Sequence, residues 1–93
     1  MKIIQLKQVS HEGITLKFRT PCLVRTYEED NYVVMEIPDT EIVVVEKSYA
    51  LAHKALNEML VWLYKIYALE IDEALSRRAQ ELKKWLIERL KGG

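Results

Sequence analysis

The periodicity of apolar residues changes once along this chain, between Glu46 and Ser48. Before that point apolar and polar residues alternate, which is typical of half-buried antiparallel strands. After it, apolar residues recur in steps of four and three, which places them on one face of a helix. The members of that helical series are Ala52, Leu56, Met59, Leu63 and Ile66. The change predicts an α+β fold: an antiparallel sheet of four to five strands followed by two C-terminal helices packed on one face.

Strand-like runs and turn residues divide the first half of the chain. Gly13 and the polar run 28–31 predict hairpin turns, Pro21 predicts a break or kink, and residues 38–40 predict a further turn. The β-branched run 42–46, IVVVE, suggests a strand covered on both faces. The predicted strands are residues 2–9, 14–19, 22–27, 31–37 and 42–46.

The second half predicts two helices. Ser48 is the expected N-cap of the first, whose apolar stripe covers about half of its circumference. A break is expected between Glu70 and Ser76, where the apolar phase slips and where Asp72 or Ser76 can cap a new helix. The second helix is expected to end at Gly92-Gly93 and to bury Leu75, Ala79, Leu82, Leu86 and Leu90. Residues 1–93 are interpreted as one domain, with a sheet part at 1–47 and a helical part at 48–91.

Composition narrows the classes of function. Fourteen basic residues balance fourteen acidic ones, so no global field favours nucleic acid or an anionic membrane. Cys22 is the only cysteine and suits a reducing compartment. The N-terminus lacks the apolar run of a signal peptide, and the longest apolar stretch, 59–69, is too short to span a bilayer. We therefore expect a cytoplasmic protein that does not enter membranes.

Residues with catalytic or ligating chemistry are few. His11 and His53 are the only histidines, and neither stands in a metal-binding motif. Cys22 has no histidine near it in sequence and is interpreted as a small buried hydrophobe. The acidic run 28–30 is interpreted as a solvated turn, although it could bind a cation or a basic partner. The sequence predicts no catalytic residue, no metal site and no cofactor, and hence no enzyme.

Aromatic and aliphatic residues outside the apolar stripes suggest an interface. Val61 and Tyr64 fall on the polar side of the first helix, Trp62 lies at its boundary, and Trp85 lies beside the seam of the second. The prediction is a homodimer through the helices, with these four residues at or near the contact. Two alternatives are that the helices fold back and bury them internally, and that the dimer uses the sheet edge at residues 2–9.

Arg77, Lys84 and Lys91 are spaced seven apart and would form a positive stripe on a continuous helix. Such a stripe could contact nucleic-acid phosphates. Glu81 and Glu88 stand three or four residues from these cations, so a solvated network of ion pairs is the favoured interpretation.

Residues 31–60 resemble the small domain of HicB-like antitoxins, and the whole chain resembles short archaeal relatives of that group. The matching features are the strand YVVMEIPD at 32–39, the β-branched strand at 42–45, and a helix capped by Ser48 with Ala52, Leu56 and Leu60. The chain differs at Glu46-Lys47, where the family has a glycine, and at Ala50-Leu51, where it has paired glutamates. The resemblance implies a binding protein that inhibits a small RNA-cleaving toxin. Longer members also bind their own operator.

Overall fold

A computed structural model describes residues 1–92 and confirms the α+β fold. The strands are β1 (Lys2–His11), β2 (Ile14–Glu29), β3 (Tyr32–Glu36), β4 (Val43–Glu46) and β5 (Leu90–Gly92). The helices are α1 (Tyr49–Leu63), which continues as a π-helical segment over Tyr64–Ala68, and α2 (Arg77–Arg89). A short 3₁₀ turn, Asp72–Ala74, lies between them. Strands β1 to β4 form an antiparallel sheet in sequence order, and β5 joins it by pairing with β2.

Both tight hairpins close through two residues with positive φ, as type I′ turns require. Glu12 and Gly13 have φ of 49° and 80° and connect the pair His11–Ile14. Asp30 and Asn31 have φ of 51° and 68° and connect the pair Glu29–Tyr32. The turns predicted at Gly13 and at residues 28–31 are confirmed.

The strand β2 is one long element, so the prediction of two strands at 14–19 and 22–27 was wrong. Between the pairs Leu6–Cys22 and Gln8–Lys17, β1 contributes one residue and β2 contributes four, residues 18–21. This irregularity accommodates Pro21, which cannot donate to the ladder, without ending the strand. The edge of β2 opposite β1 is divided between β5, at residues 16–18, and β3, at residues 25–29.

The helices cover one face of the sheet, here called the inner face. Directly opposite residues share a face, so the rows Ile4–Val24, Leu6–Cys22 and Thr26–Met35–Val44 lie together on it. The helices add the fully buried side chains Ala52, Leu56, Leu60, Val61 and Leu86. Within residues 1–92, no helix has both the length and the apolar character needed to cross a membrane.

The predicted break between the helices is confirmed, and both serine caps are present. The Oγ atoms of Ser48 and Ser76 each accept a backbone N–H at 3.2 Å, from Leu51 and Ala79 respectively. The alternative cap, Asp72, instead begins the 3₁₀ turn.

The predicted end of the second helix was wrong. Leu90 has extended backbone angles, φ −114° and ψ 147°, and the segment Leu90–Gly92 forms β5 beside Leu16–Phe18. The Leu90 side chain is buried, so it adds to the core from the sheet and not from a helix. The sheet therefore includes residues from outside the predicted 1–47 part.

Candidate interaction surface

The face of the sheet opposite the helices, here called the outer face, carries apolar residues at positions open to solvent. Cross-strand pairing places two rows on it, Ile3–Arg25–Glu36–Val43 and Tyr27–Val34–Val45, together with Leu23 opposite Gln5. Within the second row Val34 is buried between its neighbours. Leu23 and Val45 are 51% and 55% exposed, and Ile3 and Val43 are exposed to a similar degree. A sheet covered on one side normally carries polar residues on its other side. The outer face departs from that pattern and is the leading candidate for a binding surface.

The interpretation of run 42–46 as a strand covered on both faces was wrong. Val44 points into the core, whereas Val43 and Val45 are exposed on the outer face. A run of three β-branched residues looks the same in sequence whether the strand is covered on one face or on both. Only the arrangement of the helices, all on the inner face, decides which valines are covered.

One ion pair crosses the middle of the outer face. Arg25 Nη1 lies 3.5 Å from Glu36 Oε1 on the neighbouring strand. Partial burial and, to a lesser extent, the Glu36 and Glu29 carboxylates raise the pKa of Tyr27 above its usual value. The phenol therefore stays neutral at physiological pH. The middle of the outer face thus combines aliphatic groups, one neutral phenol and one compensated pair of charges. Exposed charges lie toward its ends, with Glu29 near the β2–β3 turn and the row Gln8–Lys17–Lys91 at the β5 end.

A cleft of about 650 Å³ opens between the β1–β2 turn and α1. His11 lies at its rim, with Nε2 3.7 Å from Glu12 Oε1 and Nδ1 4.0 Å from Glu58 Oε1. Its walls include Met59, Trp62 and Leu82. His53 is elsewhere on α1, stacked on Tyr49 and next to the Asn57 amide. In the part of the chain that the structure describes, no group of three or more His, Cys, Asp or Glu residues is placed to hold a metal ion.

Cys22 is buried on the inner face, as predicted. Burial raises the pKa of its thiol, and nearby Arg89 lowers it by a smaller amount. The thiol is therefore protonated and enclosed, which is the state of a packing residue and not of a nucleophile.

The predicted interface residues do not form one exposed patch. Val61 is 1% exposed and belongs to the core, so its placement on the polar side of α1 was wrong. The π-helical segment and α2 fold back over this side of the chain, and Tyr64 and Trp85 pack partly against the core. Arg89 also covers Trp85, with its guanidinium carbon 5.0 Å from the ring centroid. Trp62, at 58% exposure, is the member that remains at the surface.

The predicted basic stripe is broken. Arg77 and Lys84 lie on α2, but Lys91 is in β5 opposite Lys17. Arg77 lies 4.0 Å from Glu81, and Lys84 lies 4.0 Å from Glu88. The predicted ion pairs along α2 are thus present for two of the three cations.

Sequence reasoning did not identify the outer face. Ile3 and Leu23 are apolar residues at positions that alternation assigns to the polar side of a strand. That mismatch was the sequence signal that could have indicated an apolar outer face. No family model, curated protein or solved structure matches this chain.

Proposed function

We propose that this chain is a non-enzymatic protein-binding module, active in the cytoplasm, that binds and inhibits a small toxin through the outer face of its sheet. The observation that carries this proposal is the exposure of Ile3, Leu23, Val43 and Val45 on the face that the helices leave uncovered. Burying such aliphatic groups against a partner gains about 25 cal/mol per Å² removed from water.

The charges at the β2–β3 end of this face indicate the kind of partner, whereas Lys17 and Lys91 lie at the opposite end. The β2–β3 turn carries Glu28, Glu29 and Asp30, all exposed, at one end of the face. A toxin that cleaves RNA has to attract phosphates and therefore needs a basic surface. An acidic rim beside an apolar face complements such a surface, and occlusion of the RNA-binding surface would inhibit the toxin. The resemblance of residues 31–60 to HicB-like antitoxins agrees with this choice of partner.

The test begins with a search for a small toxin-like reading frame adjacent to the gene for this chain. We expect its product to arrest growth when expressed alone and the arrest to be relieved by co-expression of this chain. The absence of a toxin-like neighbour, or an arrest that co-expression does not relieve, would overturn the toxin assignment.

Two variants then locate the contact. Ile3→Glu and Leu23→Glu place a charge on the outer face without altering the core, because both side chains are half exposed. Each is expected to weaken binding by tenfold or more, since truncating or charging a central interface residue costs about 2 kcal/mol. Ile87→Glu, a similarly exposed apolar position on α2, is the matched control and should bind like the wild type. Equal affinity of Leu23→Glu and the wild type would contradict a contact through the outer face.

A nucleic-acid-binding role through Arg77, Lys84 and Lys91 is the alternative. It is less favoured because these residues lie on two different elements and two of them stand beside glutamates. Titration of DNA and RNA across a range of salt concentrations separates the two functions. Tight, steeply salt-dependent binding that a triple alanine variant at these positions abolishes would favour the alternative.

A further inference from the structure

The two strands at the ends of the order β1-β2-β3-β4 differ in how well they are protected from pairing with another chain. The strand β1 carries Lys2 and Lys7, is interrupted by the irregularity opposite residues 18–21, and has its Ser10 N–H bonded to Asn57 Oδ1 at 2.8 Å. Lysines, bulges and coverage are the features that protect an edge strand. Among residues 1–92, the strand β4 has β3 as its only neighbour in the sheet, and it consists of three valines and a glutamate.

The backbone of β4 shows which groups face its open edge. The carbonyl of Ile42 accepts the Ile37 N–H at 3.0 Å, so Ile42 directs its polar groups toward β3. Because these directions alternate along an antiparallel strand, Val44 also faces β3, and Val43 and Val45 direct their N–H and C=O groups outward. The open edge therefore presents the backbone N–H and C=O groups of two residues, Val43 and Val45, with Val44 between them.

We propose that β4 pairs antiparallel with β4 of a second copy of this chain, about a two-fold axis through Val44. Val43 then lies opposite Val45 of the second copy, and Val45 lies opposite its Val43. This register is the one that uses both outward residues of each strand, and it forms four backbone hydrogen bonds. It also brings together the exposed outer-face side chains of Val43 and Val45, which are favourable cross-strand neighbours.

The charges next to β4 match the same register. Glu41 and Lys47 lie three residues to either side of Val44, just outside β4, so the two-fold axis brings Glu41 of each copy to the end of the paired strands where Lys47 of the other lies. Both are exposed, and Glu41 also forms an ion pair with Arg78 of its own chain. A self-complementary arrangement of this kind favours the isologous pairing over a shifted register. The resulting dimer has one continuous sheet with its two outer faces side by side.

Sedimentation equilibrium of the full chain at micromolar concentration tests this dimer, and we expect a monomer–dimer equilibrium. Val45→Pro removes an outward N–H in each copy without removing a hydrogen bond to β3, and it should raise the dissociation constant at least about tenfold. Val45→Thr keeps the N–H group and the β-branched shape, and it should leave the dissociation constant within about threefold of the wild-type value. A monomeric wild type would overturn the proposal.

Charge reversal provides a test that loss of folding cannot imitate. Glu41→Lys and Lys47→Glu each place like charges opposite one another in a homodimer and should weaken it by about tenfold. In a mixture of the two variants both cross-axis pairs become attractive, so heterodimers should predominate by native mass spectrometry. A wild-type dimer that neither Val45→Pro nor Lys47→Glu weakens would place the contact elsewhere and overturn the proposal.

Discussion

Thr26 is the buried polar side chain that the inner face leaves unsatisfied. Its Oγ1 is buried between β1 and β3 and has no hydrogen-bond partner among residues 1–92. An unpaired buried hydroxyl costs about 1–3 kcal/mol of desolvation. Thr26→Val is therefore expected to raise the free energy of unfolding by about 1 kcal/mol in urea titrations.

The matched control for that change is Thr15, whose Oγ1 lies 3.0 Å from Ser10 Oγ at the surface. Thr15→Val removes a satisfied hydroxyl and should be neutral or slightly destabilising. If Thr26→Val lowers the free energy of unfolding by as much as Thr15→Val does, or by more, the Thr26 hydroxyl has a hydrogen-bond partner and the prediction is wrong.

At the scale of elements, the connection between α1 and α2 is held by side chains of α2. Lys83 Nζ donates to the Glu70 carbonyl and to Asp72 Oδ1, the latter at 2.9 Å. Gln80 Nε2 donates to the carbonyls of Asp72 and Leu75 at 2.8 and 3.2 Å. The break between the helices is thus a defined turn and not a loose linker.

Replacement of Lys83 tests the role of these contacts. Lys83→Met keeps the aliphatic stem and removes two charge-assisted hydrogen bonds, so we expect a loss of about 1 kcal/mol in the free energy of unfolding. Lys84→Met is the neighbouring control, because its solvated contact with Glu88 at 4.0 Å contributes well under 1 kcal/mol. Equal urea midpoints for the two variants would refute a structural role for Lys83.

Local chemistry explains which elements could be predicted from sequence. The serine caps, the positive-φ turn at Gly13 and the strand-to-helix change each depend on neighbouring residues, and all are present. The continuity of β2 and the strand β5 depend on pairing between distant segments, and neither was predicted. Val61 was misplaced for the same reason, because its burial depends on how the following segment folds back.

The whole molecule is more extended than a sphere of this length. Its radius of gyration is 13.4 Å, against roughly 12 Å for a compact 93-residue domain, and its extents are 41 × 27 × 22 Å. The helices cover only the inner face of the sheet. This arrangement leaves the apolar residues of the outer face available to a partner. The sequence pattern alone had predicted an interface on the helices.

The central claim, that the outer face is the binding surface, is tested most directly by methyl NMR of the labelled chain during titration with the product of the adjacent reading frame. The largest shift changes and broadening are expected at Ile3, Leu23, Val43 and Val45. The exposed methyl groups of Leu51 on α1 and Ile87 on α2 should change little. Changes confined to Leu51, Ile87 and the cleft beside Met59, with the outer-face methyl groups unmoved, would contradict it.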